Sequence, residues 1–257
     1  MIEDIQQRYD YRQIDINKVG IKGIQYPIQV LDKTVGIQHT IGDFNMYVSL
    51  PHLFKGTHMS RFVEVLNRYH NKIGIKVFPT ILSEIKKHLE AESAHLDISF
   101  PYFIDKEAPV SRSKSKMIYY CQFSGSLHGD ELDFKVQVKV PVTSLCPCSK
   151  AISDYGTHNQ RSLVAVTFSF QKFVWIEDMI RLIEETASCD VYSLLKRTDE
   201  KFVTERAYTH PMFVEDLVRE IASRLLNDQN IIWFTVEAEN MESIHNHSAY
   251  AFVEKYL

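Results

Sequence analysis

The chain lacks long apolar runs, a strong charge of either sign and the common catalytic signatures. Each absence removes a class of function. No stretch approaches the length needed to cross a bilayer as a helix, so no membrane partner is expected. A net charge of −4, from 29 basic and 33 acidic residues, gives no field for general nucleic-acid binding. A glycine-rich phosphate loop, HExxH and GxSxG are all missing. The N-terminal stretch MIEDIQQRYDYRQ is acidic and polar, unlike a signal peptide. Four cysteines without an export signal lead to the expectation of reduced thiols and a cytoplasmic location.

What is present is 257 residues, enough for one large core or two small ones. Residues 1–20 are expected to form an N-terminal arm. Ile24, Tyr26, Ile28 and Val30 alternate with polar neighbours, as do Phe44, Met46, Val48 and Leu50, so both stretches predict strands. Phe62, Val65, Leu66 and Tyr69 recur at helical spacing, as do Ile81, Leu82, Ile85 and Leu89 behind Pro79. Strands return at Leu96–Phe100 and Met117–Phe123. The turn His128-Gly129-Asp130 marks an expected boundary, with one module over 21–130 and a second over 131–257. The second starts on the clearest strand, where Leu132, Phe134, Val136, Val138 and Val140 alternate with charged and polar residues. Another strand at Val164–Phe170, two helical stripes behind Met179 and Pro211, and strands at Ile232–Val236 and Tyr250–Phe252 complete it. Both halves therefore read ββααββ. The fold class is α+β, with antiparallel sheets covered by helices on one face. Such sheets leave edges, which a homo-oligomer closing into a barrel would pair.

Between the first two strands of the second module lies PVTSLCPCSKAISDYGTHNQR, residues 141–161. Cys146 and Cys148 flank Pro147, and His158 follows after a glycine-containing loop. Thiolate and imidazole are good ligands for zinc or iron. Spacing alone leaves the CxC open, as ligands or as two ordinary thiols. His245 and His247 lie on one side if their segment is extended. Together with the CxC they would complete a closed four-ligand zinc clip, with no position left for catalysis. Glu200 reads as a solvated loop acid, and Glu215 as an acid complementing a helix dipole. Glu237, Glu239 and Glu242 cluster around the last hairpin. The basic loop Ser111–Lys116 reads as a phosphate site or a solvated hairpin tip.

The order of these segments resembles the type IB GTP cyclohydrolases. PVTSLCPCSK, GTHNQR, Glu200, THPMFVED around Glu215, and ESIHNH over Glu242–His247 carry the resemblance, which spans nearly the whole chain. It implies a tunnelling fold of two tandem modules, assembled as a homotetramer with sites at subunit interfaces. It implies conversion of GTP to 7,8-dihydroneopterin triphosphate and formate, for folate and pterin synthesis. By motif, Cys146, His158 and Glu200 would bind one divalent metal (zinc, manganese or iron), with Cys148 nearby. Glu215 would anchor guanine, and Glu242, His245 and His247 would serve catalysis. Two alternatives stay open. One is a nitrile reductase of queuosine biosynthesis, whose cofactor motif Arg112–Lys116 with Tyr119 matches in part. The other is a binding module with structural zinc.

Overall fold

The computed structural model describes residues 6, 8–69, 73–74 and 76–257. The chain forms two compact units. The first comprises residues 1–101 and 122–135, the second 102–121 and 136–257.

In the first unit, β1 (Ile16–Asp32) and β2 (Gly36–Leu50) form a long antiparallel hairpin. Asp32 closes its tip by accepting the Thr34 and Val35 backbone N–H groups, each at 2.8 Å. Helices α1 (Met59–Tyr69) and α2 (Phe78–His88) follow. Then come β3 (Ser93–Glu107), β4 (Lys114–His128) and β5 (Glu131–Leu145), each of which contributes a part to both units. Phe44, Met46, Val48, Leu96 and Ile98 bury one sheet face, and Phe62, Leu66, Ile81 and Ile85 bury the inner stripes of the helices. Each such side chain contributes about 1.5–3 kcal/mol by leaving water. Gly125 is required by packing: a Cβ there would lie 2.6 Å from the Phe78 ring and 2.8 Å from the Asp133 carbonyl oxygen.

In the second unit, α3 (Pro147–Ile152) and β6 (Asn159–Phe170) follow β5. Next are α4 (Ile176–Thr186), β7 (Cys189–Asp190), α5 (Arg197–Thr209) and α6 (Val214–Leu226). Strands β8 (Ile231–Asn240) and β9 (Ala249–Tyr256) end the chain. The strand order β5-β6-β8-β9 is antiparallel throughout, with β7 on the other side of β5. Val138, Val140, Val166, Phe168, Phe234 and Val236 bury the sheet face, and Ile180, Ile183, Leu217 and Ile221 bury the faces of α4 and α6.

The ββααββ order holds in the first half. In the second half, α3, β7 and α5 are added to it. The units also differ from the division expected at residue 130. The His128–Asp130 turn is a hairpin tip inside the first unit, because β4 and β5 are 15-residue strands long enough to serve two cores. The expected arm is shorter than 1–20, since β1 begins at Ile16; residues 1–5 and 7 lie outside the described residues. Pro211 does not open a helix. It lies in the segment before α6, whose first turn is closed by Asp216 accepting the Phe213 N–H at 3.2 Å.

Candidate functional site

Three strands of the second unit end their buried faces on polar residues. β5 buries Val136 to Val142 at alternate positions and then Ser144; β8 buries Phe234, Val236, Ala238 and then Asn240; β6 buries Gln160 and Ser162 before Val164. The register sets Ser144 opposite Gln160 and Ser162 opposite Asn240. The Ser144 hydroxyl donates to the Met212 carbonyl at 3.0 Å and accepts from Gln160 Nε2 at 3.4 Å and Asn240 Nδ2 at 3.2 Å. The Ser162 hydroxyl donates to Asn240 Oδ1 at 2.5 Å. An unpaired buried polar group costs about 1–3 kcal/mol. Here each side chain has a partner, so the network rigidifies the strand ends.

Cys146 leaves β5 and caps α3. Pro147 sits in the first turn, where its missing N–H costs nothing. Cys146 Sγ accepts the Ser149 N–H at 3.3 Å, and the Cys146 N–H donates to the His158 carbonyl at 3.2 Å. The Thr157 hydroxyl donates to the Cys146 carbonyl at 2.9 Å. The structure thus fastens Cys146 to His158 through the backbone. His158 Nδ1 lies 2.9 Å from Gln160 Oε1. Gln160 Nε2 is turned to Ser144 and its oxygen to the ring, an arrangement that suits a proton on Nδ1 and a lone pair on Nε2. Cys148 is exposed, whereas Cys146 is half-buried.

Glu200 is not in a loop. It lies in the first turn of α5, a helix that is polar nearly throughout. Val203 and Ala207, one and two turns on, pack against Leu145 and Cys189 beside the end of β5. The preceding residue, Asp199, is fully buried and accepts backbone N–H groups of Val110, Ser111 and Lys196, each at 2.8 Å, and the Ser111 hydroxyl at 2.6 Å. The turn before Lys114 is therefore an anchor for α5, and the cations after it are paired: Lys114 with Glu107 at 3.2 Å and Lys116 with Asp105 at 2.8 Å. Glu215 is an exposed residue of the first turn of α6. That helix start is held to β5 by the Met212 N–H on the Leu145 carbonyl at 3.0 Å.

The segment after β8 is a turn, not a strand. The His245 N–H donates to the Glu242 carbonyl at 3.3 Å, and His245 Nε2 lies 3.7 Å from Glu242 Oε2. The His245 and His247 rings still share a side. They stack, with centroids 4.9 Å apart and planes inclined by 17°.

A cleft of about 530 Å³ opens beside these segments, lined in part by Thr143, Arg161, Asp190, Tyr192, Thr204 and Ser243. Its wall also includes Gln160, next but one to His158, and Met241, beside Glu242. A buried ionic cluster lies behind Asp190. Lys106 Nζ is 2.6 Å from Glu184 Oε1 and 3.1 Å from Asp190 Oδ2, and the Tyr119 hydroxyl donates to Glu184 Oε1 at 2.6 Å. Burial raises the Glu184 pKa against the opposing pull of Lys106, and it pushes the nearby Cys189 thiol up to about 11. Among the described residues, no three His, Cys, Asp or Glu side chains are close enough together to hold a metal ion. Cys146 and His158 are brought together; Glu200 is placed on the neighbouring helix, and Glu242, His245 and His247 in their own turn.

Sequence reasoning missed Ser144, Gln160, Asn240, Asp199 and Lys106. The first three carried a signal: each is a polar residue on the buried parity of an otherwise apolar strand. Lys106 carried none, since its partners lie dozens of residues away, and Asp199 carried only its local bond to the Lys196 N–H, its Val110 and Ser111 partners being far off in sequence.

The architecture defines the chain as a tunnelling-fold protein. Its fold matches a uricase from Bacillus fastidious at a TM-score of 0.59, covering 94% of this chain and 93% of the other at 7% identity. A uricase from Arthrobacter globiformis matches at 0.51, covering 93% and 92% at 8% identity. At that identity the likeness concerns the fold alone. The chain belongs to the family described as "Type I GTP cyclohydrolase folE2", whose model matches residues 2–251. It is 61% identical over 252 residues to "GTP cyclohydrolase FolE2" of Syntrophus aciditrophicus (strain SB), covering 98% of this chain and 99% of that one. It is 60% identical over 254 residues to the protein of the same name from Geobacter sp. (strain M21), covering 99% and 95%. The family model and these relatives are cyclohydrolases, and Tyr119 is buried on Glu184.

Proposed function

We propose that the chain is a metal-dependent GTP cyclohydrolase that converts GTP and water to 7,8-dihydroneopterin triphosphate and formate, the first step of tetrahydrofolate and pterin biosynthesis. The observation that carries this reading is the pairing of Cys146 with His158, whose Nδ1 faces Gln160 Oε1 while Nε2 has no partner among the described residues. A metal-ligating histidine characteristically has its other nitrogen engaged in this way. Thiolate, imidazole and the carboxylate of Glu200 form a donor set suited to zinc, manganese or iron. Cys146, His158 and Glu200 would hold the ion in a homotetramer with sites at subunit interfaces, in the cytoplasm. When bound, the ion supplies a water nucleophile at neutral pH for C8 of guanine.

The rest falls to the chain's own side chains. Guanine presents N1–H and its 2-amino group side by side, and the Glu215 carboxylate can accept both. Opening the imidazole ring requires a proton on a ring nitrogen, and the later rearrangement moves more protons. His245 and His247 are suited to hold and deliver them. Glu242 Oε2 lies 3.7 Å from His245 Nε2, within reach of an ion pair when that ring is protonated.

Chelation tests the reading against a structural zinc clip. Removing metal should stop formation of the pterin, followed by its fluorescence after oxidation, while circular dichroism stays unchanged. Loss of the fold on chelation would favour the clip formed by the CxC and the two histidines.

A further inference from the structure

We infer that Gln160 is a positioning residue that sets the tautomer of His158, with Ser144 as its support. The inference rests on His158 being a metal ligand. Gln160 Oε1 is 2.9 Å from His158 Nδ1, and Gln160 is buried at 7% exposure. A primary amide can present either its oxygen or its nitrogen to the ring. Only the oxygen accepts a proton from Nδ1 and leaves Nε2 as a lone-pair donor. Ser144 makes that choice. Its proton goes to the Met212 carbonyl, so towards Gln160 it can only accept, which draws Nε2 of the amide to it. Asn240 Nδ2 approaches the same oxygen at 3.2 Å, and Ser162 fixes Asn240 by donating to its Oδ1. The direction of the donors thus runs from Ser162 through Asn240 to Ser144, and from Gln160 to Ser144, leaving Gln160 Oε1 nothing to do except accept from His158. The same hydroxyl ties down Met212, ahead of the helix that carries Glu215. Ser144 thereby joins the His158 strand, the α6 entry and the end of β8 at one point.

The test is a tautomer measurement with a metal titration. In metal-free protein labelled with 15N at histidine, the His158 resonance is assigned by its absence in His158→Ala. The wild type should show the Nδ1–H form. Gln160→Met, which keeps the volume but removes the acceptor, should shift the ring to the Nε2–H form. It should also weaken zinc binding about 10–100-fold in a chelator competition. Gln160→Glu retains an acceptor and should restore the Nδ1–H form, which loss of packing alone would not explain. A wild-type tautomer and wild-type zinc affinity in Gln160→Met would overturn the inference, while zinc loss in His158→Ala leaves the ligand reading standing. Zinc affinity unchanged in His158→Ala would overturn both. If Gln160→Met does not fold, Ser144→Ala replaces it; an unaltered His158 tautomer there counts against the inference, and a mixture of tautomers supports it.

Discussion

Asp199 and Ser111 are joined twice across 88 residues of sequence: the Ser111 hydroxyl donates to Oδ2 at 2.6 Å and its backbone N–H to Oδ1 at 2.8 Å. Burial pushes the Asp199 carboxyl up, but these donors, with those of Lys196 and Val110, outweigh it and hold the pKa below the usual carboxylate range. A depressed pKa in the folded state contributes stability that is fully present above the unfolded value of about 3.9 and is lost as pH falls below it. Asp199→Asn should therefore destabilise the chain at pH 7, and the gap to the wild type should close as the pH drops from about 4 towards 2. Urea midpoints at a series of pH values check this. A gap that stays constant across the range would count against the anchored carboxylate.

Lys106 is the only cation among the described residues bonded to both Glu184 and Asp190, and its side chain is 11% exposed. Lys106→Met leaves the buried Glu184 and the half-buried Asp190 without their counter-charge. A cost of about 3–5 kcal/mol is expected from breaking such a pair by one partner. Adding Glu184→Gln should recover part of it. Equilibrium unfolding in urea, with m unchanged, gives the comparison; additive losses would show that the cluster is not coupled.

Cys146 and Cys148 are predicted to separate. Cys146→Ala should leave the fold intact, abolish stoichiometric metal and end turnover. Cys148→Ala, at an exposed position, should keep its metal. Metal analysis after desalting decides, and full metal in Cys146→Ala would remove it from the ligand set.

Glu215→Gln replaces a carboxylate with two acceptor oxygens by an amide with one, whose other arm is an NH2 donor. It should lower kcat/KM for GTP about 10–100-fold, because a guanine donor is left unpaired. Discrimination between GTP and ATP should narrow with it, as read by competition of the two nucleotides. Undiminished discrimination would place guanine elsewhere.

Much of this molecule was legible in its residues. Alternation in β5, β6 and β8 marked the strands because one face of each is more deeply buried than the other, and the stripes behind Met179 and Val214 marked α4 and α6. Helix α5 was not legible, because only Val203 and Ala207 mark its inner side and a 13-residue polar stretch reads as a loop. Its N-terminal turn is held by Asp199, which caps Lys196 locally but takes its Val110 and Ser111 donors from a distant turn. The segments bearing Cys146, His158, Glu215 and His245 were visible as motifs. The network that places them was not, since a serine or asparagine ending a strand looks like the start of a loop until cross-strand register brings Ser144 to Gln160 and Ser162 to Asn240.

The most direct test of the central claim uses GTP labelled with 14C at C8. With a divalent metal present, the label should be released as formate in a one-to-one ratio with the fluorescent pterin, and release should stop on chelation and in Cys146→Ala. Label retained in a purine nucleotide, in the presence of metal and folded protein, would contradict the account.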